Sequence, residues 1–251
     1  MKYIIITGTS RGLGESLAKK SFKKDNHIIC ISRKKNTSLI EEAKEKDINL
    51  DYFEYDLNDT DNIDTLMKNV FDKIETSKAE GVYLINNAGT VSPIKPIEKC
   101  EKYDIIRNIN VNLTSLMLIT SFFMKYTKEL EVEKRVINIS SGASEKAYHG
   151  WGCYCTSKAG IDMFTKCIAL EEENKDHPVK IVSFTPGIMD TNMQKEIRSS
   201  KEEDFIQLQR FIDFKEKGKL LSTEIVAGAI TDLLHSDKFK QGSMIDISEC
   251  L

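Results

Sequence analysis

The sequence predicts an α/β fold: a Rossmann-type doubly wound parallel sheet of about seven strands with helices on both faces. Three observations carry this. Short apolar, β-branched runs alternate with helical patterns along the whole chain. The first run, Tyr3 to Thr7, passes directly into the glycine-rich turn Thr7-Gly8-Thr9-Ser10-Arg11-Gly12-Leu13-Gly14 and then into a helix. No linker, repeat or low-complexity stretch divides the 251 residues, and their 40% hydrophobic content suits a single domain over 1–251 with a large core.

The run at 3–7 is apolar at successive positions, as a parallel strand covered on both faces requires. In the turn that follows, the glycines permit a tight bend and close backbone approach to a pyrophosphate. The following helix offers free N–H groups and a partial positive charge at its start. Leu13, Leu17, Ala18 and Phe22 form its apolar face. The spacing Gly-x-x-x-Gly-x-Gly departs from the commoner Gly-x-Gly-x-x-Gly, and the context predicts dinucleotide binding by Gly8, Ser10, Arg11, Gly12, Leu13 and Gly14.

The second strand, 27–32, ends in Ser32-Arg33-Lys34-Lys35. No carboxylate stands there to take a ribose 2′-hydroxyl. Arg33 can fork onto a 2′-phosphate and Arg11 can approach it, so the expected cofactor is NADP(H) rather than NAD. The alternative is a solvated basic turn. After the third strand, 50–55, Asp56 and Leu57 fall where an adenine edge would bind; a loop or capping carboxylate reads equally well. The remaining strands are expected at 82–86, 134–139, 179–185 and 243–247. Strand 82–86 runs into Asn86-Asn87-Ala88-Gly89, where Asn87, Ala88 and Gly89 can approach the cofactor. Strand 134–139 ends in Ser140-Ser141, and strand 179–185 in Pro186-Gly187, with Thr191 shortly after.

Tyr154 and Lys158 stand four residues apart at a helix start and therefore share a face. An ammonium beside a phenol favours its ionised form, so the pair is expected to lower the Tyr154 pKa and allow proton exchange near neutral pH. Alone, the spacing is common on helix surfaces. Ser141, 13 residues before Tyr154, can return to the phenol by a loop.

The chain as a whole resembles the short-chain dehydrogenase/reductase family over essentially its full length. The resemblance rests on Thr7-Gly8-x-x-x-Gly12-x-Gly14, Asn86-Asn87-Ala88-Gly89, Asn112, Ser141, Tyr154-x-x-x-Lys158 and Pro186-Gly187, in that order. It implies a catalytic tetrad of Asn112, Ser141, Tyr154 and Lys158. Asn112 is chosen over Asn110 because it opens Asn-Leu-Thr-Ser, and Ser141 over Ser140 by spacing. It further implies that Tyr154, Lys158, Pro186, Gly187 and Thr191 contact the cofactor. Hydride would pass between NADPH and a carbonyl, with Tyr154 as proton donor, Ser141 on the carbonyl oxygen and Asn112 holding a water.

Gly150-Trp151-Gly152-Cys153-Tyr154-Cys155 and the segment from Pro186 to Gln194 look like the sepiapterin reductase branch, and still more like bacterial benzil reductases that form (S)-benzoin. Those branches imply a ketone or vicinal diketone substrate, or a pterin side chain held by a last-strand Asp, here Asp246. His149, Trp151 and Met189 are further candidates for the substrate wall, with Ser141 and Tyr154; a Trp beside a helix start also serves plain packing.

The polar stretch 186–219, with helical pieces at 193–198 and 203–214, is expected to form a substrate lid over 187–219, hinged at Gly187 and Gly218. A surface insertion is the alternative. The helices around 99–129 and 151–173 carry broad apolar faces, which the family resemblance links to a homodimer and which packing within one chain would also explain.

A net charge of −3 gives no case for binding nucleic acid or anionic membrane. Six scattered cysteines form no metal pattern, so no metal is expected; Cys153 and Cys155 read as buried thiols or as a redox pair around Tyr154. With neither a signal segment nor a spanning one, a cytoplasmic protein is expected. A non-catalytic NADPH-binding sensor is the rival class, and an enzyme working mainly in the alcohol-oxidising direction would use the same residues.

Overall fold

The computed structural model describes residues 1–251. Its seven strands form one wholly parallel sheet in the order β3-β2-β1-β4-β5-β6-β7. The strands are β1 (Lys2–Thr7), β2 (Asn26–Ser32), β3 (Asn49–Glu54), β4 (Gly81–Asn86), β5 (Glu133–Ile139), β6 (Val179–Thr185) and β7 (Met244–Asp246). Each lies where the apolar runs predict it, to within about one residue at either end.

Between them run α1 (Gly12–Lys20), α2 (Thr37–Glu45), α3 (Ile63–Phe71), α4 (Lys102–Ile109), α5 (Ser115–Thr127), α6 (Gly152–Glu172), α7 (Asn192–Arg198), α8 (Leu208–Glu216) and α9 (Thr223–Leu234). The helices cover both faces because the strands present apolar side chains to both. Ile4, Ile6, Ile28 and Cys30 pack under α1, α2 and α9, with Leu17, Leu39 and Val226. The alternate residues Tyr3, Ile5, Ile29 and Ile31 pack under α3, α5 and α6, with Leu66, Phe123 and Ile168.

The chain winds from β1 outward to β3, then returns to β4 on the other side of β1. That reversal opens a crevice at the carboxyl ends of β1 and β4, where doubly wound sheets bind ligands. A buried polar ladder crosses the sheet just below it. Asn86 Nδ2 donates to Thr120 Oγ1 at 3.0 Å and to Asn138 Oδ1 at 2.9 Å. Asn138 Nδ2 in turn donates to Thr165 Oγ1 at 3.0 Å. These bonds tie α5, β4, β5 and α6 together across the layer that supports the crevice.

The second helical piece of the 186–219 segment begins at Leu208 rather than at 203. Asp204 is drawn into an ion pair with Lys99 at 2.9 Å, and Phe205 is buried, so the chain turns there before the helix starts. No helix is long and apolar enough to cross a membrane. No group of metal-ligating side chains is assembled.

Ile5 sits mid-strand with no exposure. Its replacement by Ala is expected to lower the unfolding free energy by about 2–5 kcal/mol, read from the denaturation midpoint at unchanged slope.

Candidate functional site

The crevice is a cavity of about 550 Å³ lined from six of the seven strand ends. β1 delivers the glycine turn to it. Gly8 and Gly12 hold positive φ, +77° and +61°, where a side chain would be strained. Gly14 is constrained by space instead: a Cβ there would lie 2.1 Å from the Gly8 carbonyl oxygen and 2.6 Å from Asn87 Nδ2. The turn is stitched to β4 as well. Asn87 N and Ala88 N both donate to Thr7 Oγ1 at 3.0 Å, and Asn87 Nδ2 donates to the Thr7 carbonyl at 2.9 Å. No side chain caps the start of α1, so its first N–H groups are left facing the cavity. A bare, crowded glycine turn at an uncapped helix start fits the pyrophosphate of a dinucleotide.

Of the residues expected to hold that cofactor, Gly8, Ser10, Arg11, Gly12, Leu13, Gly14, Ser32, Arg33, Asp56, Leu57, Asn87, Ala88, Gly89, Tyr154, Lys158, Pro186 and Thr191 all line the cavity, as does Met189. Gly187 does not. It turns the chain with φ +70°, its α-carbon facing Ile247 of the turn after β7.

The Tyr154–Lys158 pair stands at the cavity floor, both residues over nine-tenths buried. Lys158 Nζ donates to the Ile139 carbonyl at 2.8 Å and lies 5.7 Å from the centre of the Tyr154 ring. The expectation of a lowered phenol pKa is not met. Burial pushes Tyr154 up to about 12, and the Ser141 hydroxyl, close by, draws it only partly back. Burial likewise pulls Lys158 down to about 8. Desolvation is the leading cause of both shifts. At neutral pH the site holds a protonated phenol beside an ammonium.

Ser141 reaches the site through the phenol of Tyr154; its neighbour Ser140 is the serine that lines the cavity wall. Ser141 is extended at the end of β5, and its Oγ accepts from Ala143 N at 3.2 Å, starting a short 3₁₀ turn. Asn112 lies in a five-residue π-helical turn, Asn110–Thr114, that joins α4 to α5. Its side chain bonds to both neighbours: Oδ1 accepts from Thr90 N at 2.8 Å, and Nδ2 lies 2.9 Å from the Thr90 carbonyl and 3.1 Å from Ser157 Oγ. It therefore braces the loop after β4 against α6.

Three other expected substrate residues fall outside the cavity. Trp151 is buried, stacked on Phe205 at 4.8 Å and 17° and edge-on to Tyr154 at 5.3 Å. It links the 187–219 segment to the back of Tyr154 and does not line the cavity. His149 is exposed on the preceding loop. Asp246 caps the turn after β7, accepting from Ser248 N at 2.9 Å, with Glu249 closing the box. Its carboxylate serves the backbone and does not line the cavity. Cys153 is a buried thiol as expected, whereas Cys155 is only half-buried; burial raises the pKa of both.

Sequence reasoning missed several lining residues: Thr90, Arg107, Val111, Asn192, Lys195 and Glu196. Arg107 and Val111 stand one helical turn apart and belong to the bracket around Asn112, a signal that spacing alone could have supplied. Asn192, Lys195 and Glu196 depend on how α7 packs over the cavity.

Gly14→Ala is expected to lower stability by about 1–3 kcal/mol and to abolish dinucleotide binding, since backbone must move to admit the methyl. Gly228→Ala, in α9 with open space around the site of its Cβ, is expected to raise stability by about 0.5–1 kcal/mol. Thermal melting of both variants with and without dinucleotide measures this.

The family model described as short chain dehydrogenase matches residues 2–202. A benzil reductase, (S)-benzoin forming, of Bacillus cereus is 51% identical over 249 residues, covering 99% of this chain and 100% of its own length. A sepiapterin reductase of Xenopus tropicalis is 26% identical, covering 96% of this chain and 94% of its own. Among solved structures, the KRED1-Pglu enzyme superposes with a TM-score of 0.83 at 27% identity, over 97% of this chain and 100% of that one. With the sheet order and the glycine cradle, these matches show that the chain belongs to the short-chain dehydrogenase family, and so is an oxidoreductase of carbonyl and hydroxyl groups that works with a nicotinamide cofactor.

Proposed function

We propose that this protein reduces a ketone or vicinal diketone of the benzil type with NADPH, Tyr154 supplying the proton. The observation that carries the reading is the buried Tyr154–Lys158 pair at the floor of a cavity whose other end is the glycine cradle. The 51% identity to a benzil reductase supports the substrate class. Arg33 and Arg11 at the cavity edge, with no acid in the Ser32-Arg33-Lys34-Lys35 turn, support NADPH over NADH.

When bound, the nicotinamide supplies the hydride. Tyr154, still protonated at neutral pH, gives its proton to the alkoxide as charge develops on the oxygen. Ser141 orients the carbonyl oxygen from the side and takes part of that charge. Lys158, an ammonium below about pH 8, offsets the charge left on the phenolate. Asn112 holds the Thr90 loop against α6 and, in this reading, a water beside Lys158.

The segment 187–219 acts as a lid in this reading. Its base is paired through Met189 and Leu221, and α7 contributes Asn192, Met193, Lys195 and Glu196 to the cavity wall. Exposed Met117 and Tyr126 on α5 and Met163 and Leu170 on α6 support a homodimer through those helices. Six free cysteines suit a reducing, cytoplasmic setting. A pterin substrate has less support, because Asp246 is engaged in its capping box away from the cavity.

Tyr154→Phe is expected to keep NADPH binding and to lose about 10²–10⁴-fold in benzil reduction. NADPH oxidation with benzil, other vicinal diketones and sepiapterin, run beside NADH, measures this; normal turnover by the variant would sink the proton-donor role. A depressed Lys158 pKa means the cation is present below about 8 and lost above it. The kcat/KM for NADPH should therefore fall as pH rises through that value, and a profile flat across it would count against the role given to Lys158.

A further inference from the structure

We propose that the Tyr52 phenol positions the turn that reads the ribose 2′-phosphate, and thereby sets the preference for NADPH over NADH. This rests on the NADPH reading above. Tyr52 stands on β3, behind the turn rather than in the cavity. Its oxygen joins two segments that come from different strands. From the glycine turn, Thr9 Oγ1 donates to it at 3.1 Å. From the end of β2, Ser32 Oγ lies 2.5 Å away, and the Lys34 carbonyl accepts from Tyr52 at 3.2 Å or from Ser32 at 2.8 Å.

The protons balance in two ways. Either Tyr52 donates to Ser32 and Ser32 to the Lys34 carbonyl, or Ser32 donates to Tyr52 and Tyr52 to that carbonyl. Thr9 donates to Tyr52 in both. Thr9 and Ser32 are buried, so neither hydroxyl can turn to bulk water if the phenol is removed.

Arg33 is the residue held between these anchors. It is exposed, lines the cavity, and carries a long side chain with much freedom to lose on binding. Fixing its backbone on both sides lowers that cost. A second tie, Asn36 Nδ2 to the Ser10 carbonyl at 3.2 Å, closes the far side of the same turn. The phenol thus lies behind the 2′-phosphate position and acts on it only through Ser32, Lys34 and Thr9.

The test is calorimetric titration of the full chain and its Tyr52→Phe variant with 2′,5′-ADP and with 5′-AMP, which lacks only the 2′-phosphate. Tyr52→Phe is expected to weaken 2′,5′-ADP by about five- to tenfold, the worth of roughly one hydrogen bond, and to leave 5′-AMP unchanged. The KM for NADPH should rise by the same factor with kcat and the KM for NADH unaltered. Equal weakening of both nucleotides, or of neither, would overturn the role of Tyr52. If the unaltered protein binds 2′,5′-ADP no better than 5′-AMP, the NADPH reading itself fails, and this inference with it. Should Tyr52→Phe not fold, as judged by its melting curve, Thr9→Val removes the donor from the glycine turn to the same phenol without touching a cavity-lining residue, and the same affinity ratio decides.

Discussion

The seam between the glycine turn and the end of β4 is the constraint on which the rest of the molecule depends. Thr7 Oγ1 gathers two backbone N–H groups of the Asn87-Ala88 stretch, while Asn87 returns its amide to the Thr7 carbonyl. The two strand ends are thereby held so close that a Cβ on Gly8 would lie 2.9 Å from the Ala88 α-carbon. This happens where the winding reverses, the one place where a parallel sheet leaves its strand ends uncovered by a crossover. The crevice is open because of topology and narrow because of this seam. Without it, β4 could not carry Asn87, Ala88 and Gly89 to the same cavity as the start of α1.

From that seam, order passes outward to the Tyr154–Lys158 pair. Gly89 lies next to Asn112, a Cβ there coming within 3.4 Å of Oδ1, and Asn112 ties the Thr90 loop to Ser157 on α6. Tyr154 and Lys158 sit on that same helix, so their depth is fixed by contacts on three elements. Depth decides their electrostatics. A surface pair would have shown the cation lowering the phenol pKa. In the buried pair each pKa moves toward the neutral form, the phenol up and the ammonium down, because the low-dielectric surroundings penalise each charge. For a group proposed to donate a proton, retention of that proton at neutral pH is the useful state.

The aromatic cluster around Trp151 gives the 187–219 segment a firm seat. Trp151 touches Tyr154 on one side and Phe205 and Phe211 on the other. Lys99 and Asp204 pair at the rim, and Lys215 and Asp190 at the base, each joining residues far apart in sequence. The exposed parts of these ion pairs contribute little to stability. The buried rings stabilise the seat more than the ion pairs do, so any opening of the segment has to leave Trp151 and with it the packing behind Tyr154.

The strands, the glycine turn and the Tyr-x-x-x-Lys spacing were legible in the amino-acid sequence because each is a local pattern. Apolar runs covered on both faces, glycine where backbone crowds or φ is positive, and i,i+4 neighbours on a helix all follow from the chain within a few residues. Trp151, His149 and Asp246 could not be placed that way. Whether a Trp faces a cavity or a phenylalanine depends on where Phe205 arrives, much later in the chain, and Asp246 is diverted by its own turn with Glu249. Burial, too, is a property of the assembled layers, so the sign of the Tyr154 shift was out of reach of spacing. The sequence by itself determined which strands form and which chemical groups stand at their ends. Tertiary structure alone decided which of those groups share one cavity, because that depends on contacts between segments far apart in the chain.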